Sequence, residues 1–197
     1  GASREHSKFY SNDAVEAGAR ATNGDYAKRH GFSRGHLAPA QFHKDDQRAM
    51  DATFDLSLNV VPQEMTVNAC DWFRLEQFCK KLVKKDKFDK LWVVTGPVFM
   101  PKDIPAQGGE PAKRVVQYEV IGEREVAVPT HMFKAILAER ADKSKAFAAF
   151  VLPNGPIPYE RPLTTYQVTR AQLNKLTGLK LFPLLPDTER AAPDICK

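Results

Sequence analysis

A mostly antiparallel α+β fold is predicted for this chain of 197 residues, and three observations predict it. Apolar residues alternate at period two in several separate stretches, the signature of half-buried strands. One stretch instead repeats at three- and four-residue steps, through Trp72, Leu75, Cys79, Leu82 and Val83, the signature of an amphipathic helix. Strand and helix patterns do not alternate regularly and no segment repeats, which argues against a parallel α/β sheet.

In order, residues 1–30 are polar and weakly patterned, with a short helix expected over 13–20 and a turn over 21–26. Residues 44–53 suit a short surface helix. Phe54, Leu56, Leu58 and Val60 alternate with polar residues and predict a strand that ends at Pro62. The amphipathic helix follows, with Asn68 where an N-cap belongs and Lys80, Lys81, Lys84, Lys85, Lys87 and Lys90 on its second half and exit. Leu91 to Thr95 reads as a buried strand halted by Gly96-Pro97, and residues 101–111 as a Pro- and Gly-rich loop. Two strands are expected over 115–121 and 126–137, the second bent by Pro129. Another runs over 143–152. A short helix over 169–176 is terminated by Gly178, and residues 179–182 are extended. Residues 1–186 are read as one domain, and residues 187–197 as a loose tail.

Composition narrows the function. With 43% hydrophobic and 27% charged residues the chain is globular in type, and its net charge of +5 suits a polyanionic partner. No run is apolar enough to span a membrane, and no signal peptide is visible. The odd cysteine count, Cys70, Cys79 and Cys196 with no C-x-x-C pair, argues against a disulfide framework and a structural zinc, and favours a reducing or neutral compartment.

The chemistry centres on Ser33-Arg34-Gly35-His36-Leu37-Ala38-Pro39-Ala40. Arginine is a permanently charged, fork-shaped phosphate ligand. Histidine is the side chain best suited to exchange a proton near neutrality. If the stretch is extended, Arg34 and His36 share one face; the plain alternative is a surface loop. Phosphodiester hydrolysis also needs help for the leaving oxygen. Mg²⁺ keeps most of its waters and takes few protein ligands, so the Asn68 amide oxygen could be a single direct ligand and the Glu76 carboxylate could hold the ion's waters. Eight residues separate the two, which on an ideal α-helix gives roughly 12 Å of rise and an angle of about 80°. Each has a plainer reading too, an N-cap for Asn68 and a surface acid for Glu76. Asn59 stands in a strand pattern where asparagine is disfavoured, which marks it as a local hydrogen-bonding residue supporting the His36 loop or the helix start. His131 reads as structural and His43 as an exposed loop residue. His6 and His30 have no functional context.

Gly31 to Ala40 resembles the active-site motif of the DNA/RNA non-specific endonucleases, the ββα-metal (His-Me finger) nucleases that include mitochondrial endonuclease G and its exonuclease-like relative. The likeness continues through Ala21-Thr22-Asn23, Asp25-Tyr26, Asn59-Val60-Val61-Pro62-Gln63, and Asn68 with Trp72, Leu75 and Glu76. It resumes at Val93 to Pro97, Val128 to Lys134, Leu152-Pro153-Asn154 and Leu176 to Leu179. The resemblance implies a central mostly antiparallel sheet flanked by helices. It makes His36 the general base, Arg34 the phosphate and leaving-group cation, Asn59 a supporting residue, Asn68 the direct Mg²⁺ ligand and Glu76 the acid holding metal-bound water. It also implies that Mn²⁺ substitutes, that DNA and RNA are cut to 5′-phosphate products, and that the chain is a mitochondrial homodimer, with secretion less expected and a protein inhibitor as a further partner. Arg34, Arg48, Arg74 and Lys80 are the candidate nucleic-acid contacts.

The chain departs from the family pattern. Ser33 stands where the motif usually begins with Asp, as in the exonuclease-like branch, and Asn174 stands where many relatives carry Glu. Relatives have more chain upstream. The exonuclease-like branch bears a C-terminal wing for which the residues after Phe182 are too few, so endonuclease is the expected mode. The alternatives are a 5′-exonuclease and a catalytically weak nucleic-acid-binding homologue.

Overall fold

The computed structural model describes residues 1–27, 30–86, 88–158, 161–185 and 194–196. In chain order come β1 (Phe32–His36), α1 (Gln47–Ala52), β2 (Val60–Glu64), α2 (Met65–Val67), a π-helical turn (Asn68–Trp72) and α3 (Phe73–Lys84). Strands β3 (Lys90–Val98), β4 (Lys102–Ile104), β5 (Lys113–Val115), β6 (Val120–Ile121), β7 (Val126–Ala127), β8 (His131–Glu139) and β9 (Lys145–Pro153) follow. The last elements are β10 (Gln167–Val168) and α4 (Arg170–Thr177). Among the described residues every pairing between these strands is antiparallel, in keeping with the predicted α+β class. Among the described residues no helix is long and apolar enough to cross a membrane. The chain gathers into two compact units, Gly1–Met65 with Phe99–Thr130, and Thr66–Val98 with His131–Lys197.

In the first unit β1 and β2 form a two-stranded ribbon that runs from Phe32↔Glu64 to His36↔Val60. Its core joins Ala21, Tyr26, Leu56, Val60, Ile121 and Val128, and a second cluster joins Ala40, Met50 and Phe54, with Phe9 packed against both. The helix expected over 13–20 is absent. Arg20 folds back instead, its guanidinium donating to Asp13 Oδ1 at 2.7 Å and to the Val15 carbonyl, and these contacts hold a series of turns.

The strand expected from Phe54 begins only at Val60. Asp55 Oδ1 accepts from the backbone N–H groups of Ser57 and Leu58, a local competition that turns the chain rather than extending it. Phe54 and Leu56 are buried while Leu58 is 68% exposed, so the alternation belongs to a turn. Pro62 lies inside β2, not after it, and a two-stranded ribbon tolerates a residue without an N–H there. The loop over 101–111 carries β4, which pairs with β5, and the strand expected over 115–121 is reduced to β5 and the short β6. Pro129 does more than bend the next strand: it separates β7 from β8.

The second unit is built on a four-stranded sheet of order β10-β9-β8-β3. β8 and β9, the inner pair, are nearly continuously buried because both have neighbours on each side. β3 was expected to be buried and to halt at Gly96, but it is an edge strand with Trp92 42% exposed, and it pairs with β8 through to Val98. α3 packs on this sheet, with Phe78 edge-on to Phe150 of β9 at 5.8 Å. Trp72, Leu75, Cys79 and Leu82 are all at most 1% exposed, and burying Leu75 and Leu82 stabilises the unit by about 1.5–3 kcal/mol each. Val83, placed on that stripe from the sequence, is 47% exposed because it falls one step past the buried face. α4 has Thr169 as its N-cap, and Gly178 ends it in the left-handed region at φ 71°, as expected. Lys87 and residues 187–193 and 197 of the expected tail lie outside the described residues. Within that tail Asp194 bridges to Phe147 of β9 and accepts from Gln167 Nε2 at 2.7 Å, so this part is held against the sheet rather than loose.

Candidate active site

Residues 32–36 are extended, and Arg34 and His36 share a face, as period-two geometry requires. Both meet Phe9. The Arg34 guanidinium lies 4.3 Å from the Phe9 ring centroid, and the His36 ring is 5.2 Å from it. Phe54 packs edge-on against His36 at 4.7 Å, and the imidazole is 9% exposed. Arg34 Nη1 donates to Asn23 Oδ1 at 2.6 Å, while Asn23 Nδ2 donates to the Phe9 carbonyl at 3.1 Å. One short N-terminal segment thus fixes the arginine from beneath, through the ring, and from the side, through Asn23.

Gly35 separates the two candidate residues for a steric reason. The Gln63 side chain, 0% exposed, lies across its Cα, and a Cβ there would overlap it. Ser33 Oγ donates to the Gln63 carbonyl at 2.9 Å, so this position binds the strand partner and brings no charge. Asn59 clamps the residues after His36. Its Oδ1 accepts from Ala38 N at 3.0 Å, its Nδ2 donates to the Ala38 and Thr53 carbonyls at 2.9 and 2.8 Å, and its own carbonyl accepts from Leu37 N. Both polar atoms of the amide are used within the protein, so Asn59 shapes the loop behind His36.

Electrostatics keep the His36 imidazole unprotonated. Burial, reinforced by the positive charges of Arg4 and Arg34, pushes its pKa from 6.5 down to about 4. The imidazole is therefore neutral at neutral pH and has a lone pair to accept a proton. Arg4, whose guanidinium lies 5.7 Å from the Phe54 ring centroid, was not singled out from the sequence, nor were Phe9 and Phe54. No periodicity or spacing ties these residues to the motif.

In the second unit, Asn68 is not an N-cap, because the chain is already helical from Met65. It opens the π-helical turn. An i→i+5 turn takes more residues per revolution than an α turn, so it rotates less per residue and closes part of the offset of about 80° between Asn68 and Glu76. Asn68 is half-buried and Glu76 only 8% exposed. Among the described residues no group of three His, Cys, Asp or Glu side chains could cage a metal ion. What the helix offers is one amide oxygen and one buried carboxylate, a donor set that fits a hard cation keeping most of its waters.

Of the candidate nucleic-acid contacts, Arg34 is exposed on β1 and Arg48 exposed on α1. Arg74 pairs with Asp71 at 2.7 Å and donates to the Arg161 carbonyl at 3.0 Å, and Lys80 is half-buried on α3. His131, whose pKa burial lowers, opens β8 opposite Val98 and Pro153.

The family model for DNA/RNA non-specific endonucleases matches residues 1–188. The mitochondrial nuclease EXOG of Danio rerio is 42% identical over 197 residues, 99% of this chain and 54% of that protein. The mitochondrial endonuclease G of Homo sapiens is 39% identical over 180 residues, 91% of this chain and 58% of that protein. A chain in the crystal structure of the EndoG/EndoGI complex aligns with a TM-score of 0.81 at 34% identity, covering 90% of this chain and 69% of that one. The chain spans about half the length of the curated relatives it matches.

Proposed function

This chain belongs to the DNA/RNA non-specific endonuclease family, and from that premise we propose that it is a Mg²⁺-dependent endonuclease that hydrolyses DNA and RNA to 5′-phosphate products. The observation that supports this most is the buried, neutral His36 held beside Arg34 on one face of β1. His36 accepts the proton of the attacking water. Arg34, fixed by Phe9 and Asn23, presents its charge to the phosphate. Asn59 holds the loop that follows His36. Asn68 would ligate Mg²⁺ (or Mn²⁺) and Glu76 its waters, and the ion when bound would stabilise the leaving oxygen. Arginines and a cation address the phosphate and carry no base information, which accounts for weak sequence preference. Arg48, Arg74 and Lys80 add phosphate affinity, so binding weakens as salt is raised.

The test is supercoiled plasmid and a structured RNA incubated with Mg²⁺, with and without EDTA, followed by end analysis. Nicked circles, cut RNA and 5′-phosphate ends that EDTA abolishes are expected. Absence of turnover with Mg²⁺ and Mn²⁺ would make the chain a binding homologue. Ser33, which matches the exonuclease-like motif, favours the second reading, a 5′-exonuclease. That reading predicts intact closed circles and shortened linear DNA. Mitochondrial residence and a homodimer are proposed from the relatives and the resemblance, and an inhibitor from the EndoG/EndoGI neighbour.

The acid limb of the pH profile gives a separate check. An unperturbed histidine base would protonate, and kcat/KM would fall, as pH drops through about 6.5. With its pKa near 4, His36 stays neutral, and kcat/KM is expected to stay level from pH 7 to below 6. A His36-dependent limb at about 6.5 would contradict the buried, neutral base.

A further inference from the structure

Among the described residues Lys134 is the lysine taken wholly out of water, at 0% exposure. It stands in the middle of β8, opposite Thr95 of β3 and Phe150 of β9. Because Phe78 of α3 packs on Phe150, Lys134 and Phe150 share the sheet face that the helix covers. The Lys134 ammonium lies 4.5 Å from the Trp72 ring centroid. Glu76 follows Trp72 by four residues and Cys79 follows Glu76 by three, the spacings that keep side chains on one helical face, and the three are 1%, 8% and 1% exposed.

A buried ammonium needs a counter-charge as well as an aromatic face, since a ring quadrupole does not replace lost hydration. Two groups act on its charge, the Cys79 thiol and the Glu76 carboxylate. Burial pushes the Cys79 thiol up to about 11, so it is uncharged at neutral pH. Asp71, close by in sequence, is engaged by Arg74 at 2.7 Å. Of the two groups acting on Lys134, Glu76 is the carboxylate, and it stands on the helical face that carries Trp72.

We propose that Lys134 is the positioning residue for Glu76: the buried ammonium, seated on Trp72, fixes the carboxylate on the inner face of the helix, ready to hold the waters of a bound cation. This rests on the role proposed above for Glu76. Lys134 touches no reacting atom and acts through the carboxylate alone.

The experiment measures Mn²⁺ binding by electron paramagnetic resonance, together with thermal melting, for wild type, Glu76→Gln, Lys134→Met and the double variant. Each single variant is expected to weaken Mn²⁺ binding by about tenfold or more. The double variant should bind no more weakly than the worse single one, because the two residues act as a unit. Lys134→Met should also melt lower, since it removes the positive charge beside a buried carboxylate, and adding Glu76→Gln should recover part of that loss. Wild-type Mn²⁺ binding in Lys134→Met, or losses that multiply in the double variant, would overturn the positioning role while leaving Glu76 in place. Unchanged Mn²⁺ binding in Glu76→Gln would overturn the reading of Glu76 and this inference with it. If Lys134→Met does not fold, folding restored by the second substitution supports the pair, and folding not restored overturns it.

Discussion

Replacing His36 by alanine is expected to lower the rate of plasmid nicking by about 10²–10⁴-fold, the range a positioned general base supplies. The geometry isolates that effect. Arg34 is held by Asn23 and by the Phe9 ring, which keeps its packing on Phe54 at 4.9 Å, so phosphate binding should persist. The loop after His36 is fixed by Asn59 through backbone groups of Leu37 and Ala38, and those bonds also survive the substitution. What the variant does lose is a buried ring between Phe9 and Phe54, so a stability cost of about 2–3 kcal/mol is expected from the cavity. Measuring single-turnover cleavage, DNA affinity at low salt and thermal melting on one preparation separates the three. Cleavage at the wild-type rate would remove His36 as the base. A matching loss of DNA affinity would make it a structural residue of β1.

The parts of this arrangement that depend on spacing alone were legible in the sequence. Arg34 and His36 share a face because two residues separate them on a strand, and the helix stripe from Trp72 to Leu82 is buried because its period is that of a helix. What surrounds His36 was not legible. Phe9 and Phe54 reach it from distant positions through tertiary packing, and nothing in their local pattern marks them as part of the site. The period-two rule also misled where side chains compete with the backbone. Phe54 to Val60 alternates like a strand, yet the Asp55 carboxylate captures two backbone N–H groups and makes a turn. Apolar runs do not reveal their place in a sheet either, since Leu91 to Thr95 reads like β8 but lies at the edge, where among the described residues one side has no strand neighbour. Asn59 was singled out correctly as an anomaly, because an asparagine in an apolar alternation needs partners, and its side-chain bonds to Ala38 and Thr53 are those partners.

Asn68 is where the sequence and the structure diverge most usefully, and Asn68→Ala tests the difference. A true N-cap replaced by alanine loses about 1 kcal/mol of stability and has no reason to lose activity. Asn68 instead sits within a continuous helical segment, three residues after its start, at the first position of a π turn. Alanine is the better helix former there, so the melting temperature should be unchanged or slightly higher. Activity should nevertheless fall by more than about a hundredfold, because removing the one proposed protein ligand costs at least what removing a supporting partner does. Asn68→Asp keeps an oxygen at the same place and adds charge, so it should retain cation binding that Asn68→Ala loses. The pattern to look for is a stable Ala variant without activity beside an Asp variant that binds Mn²⁺. A destabilised Ala variant with full activity would return Asn68 to a structural role. The π turn would then need another explanation, since an over-wide turn gives up regular α-helical hydrogen bonding and such turns concentrate at functional sites.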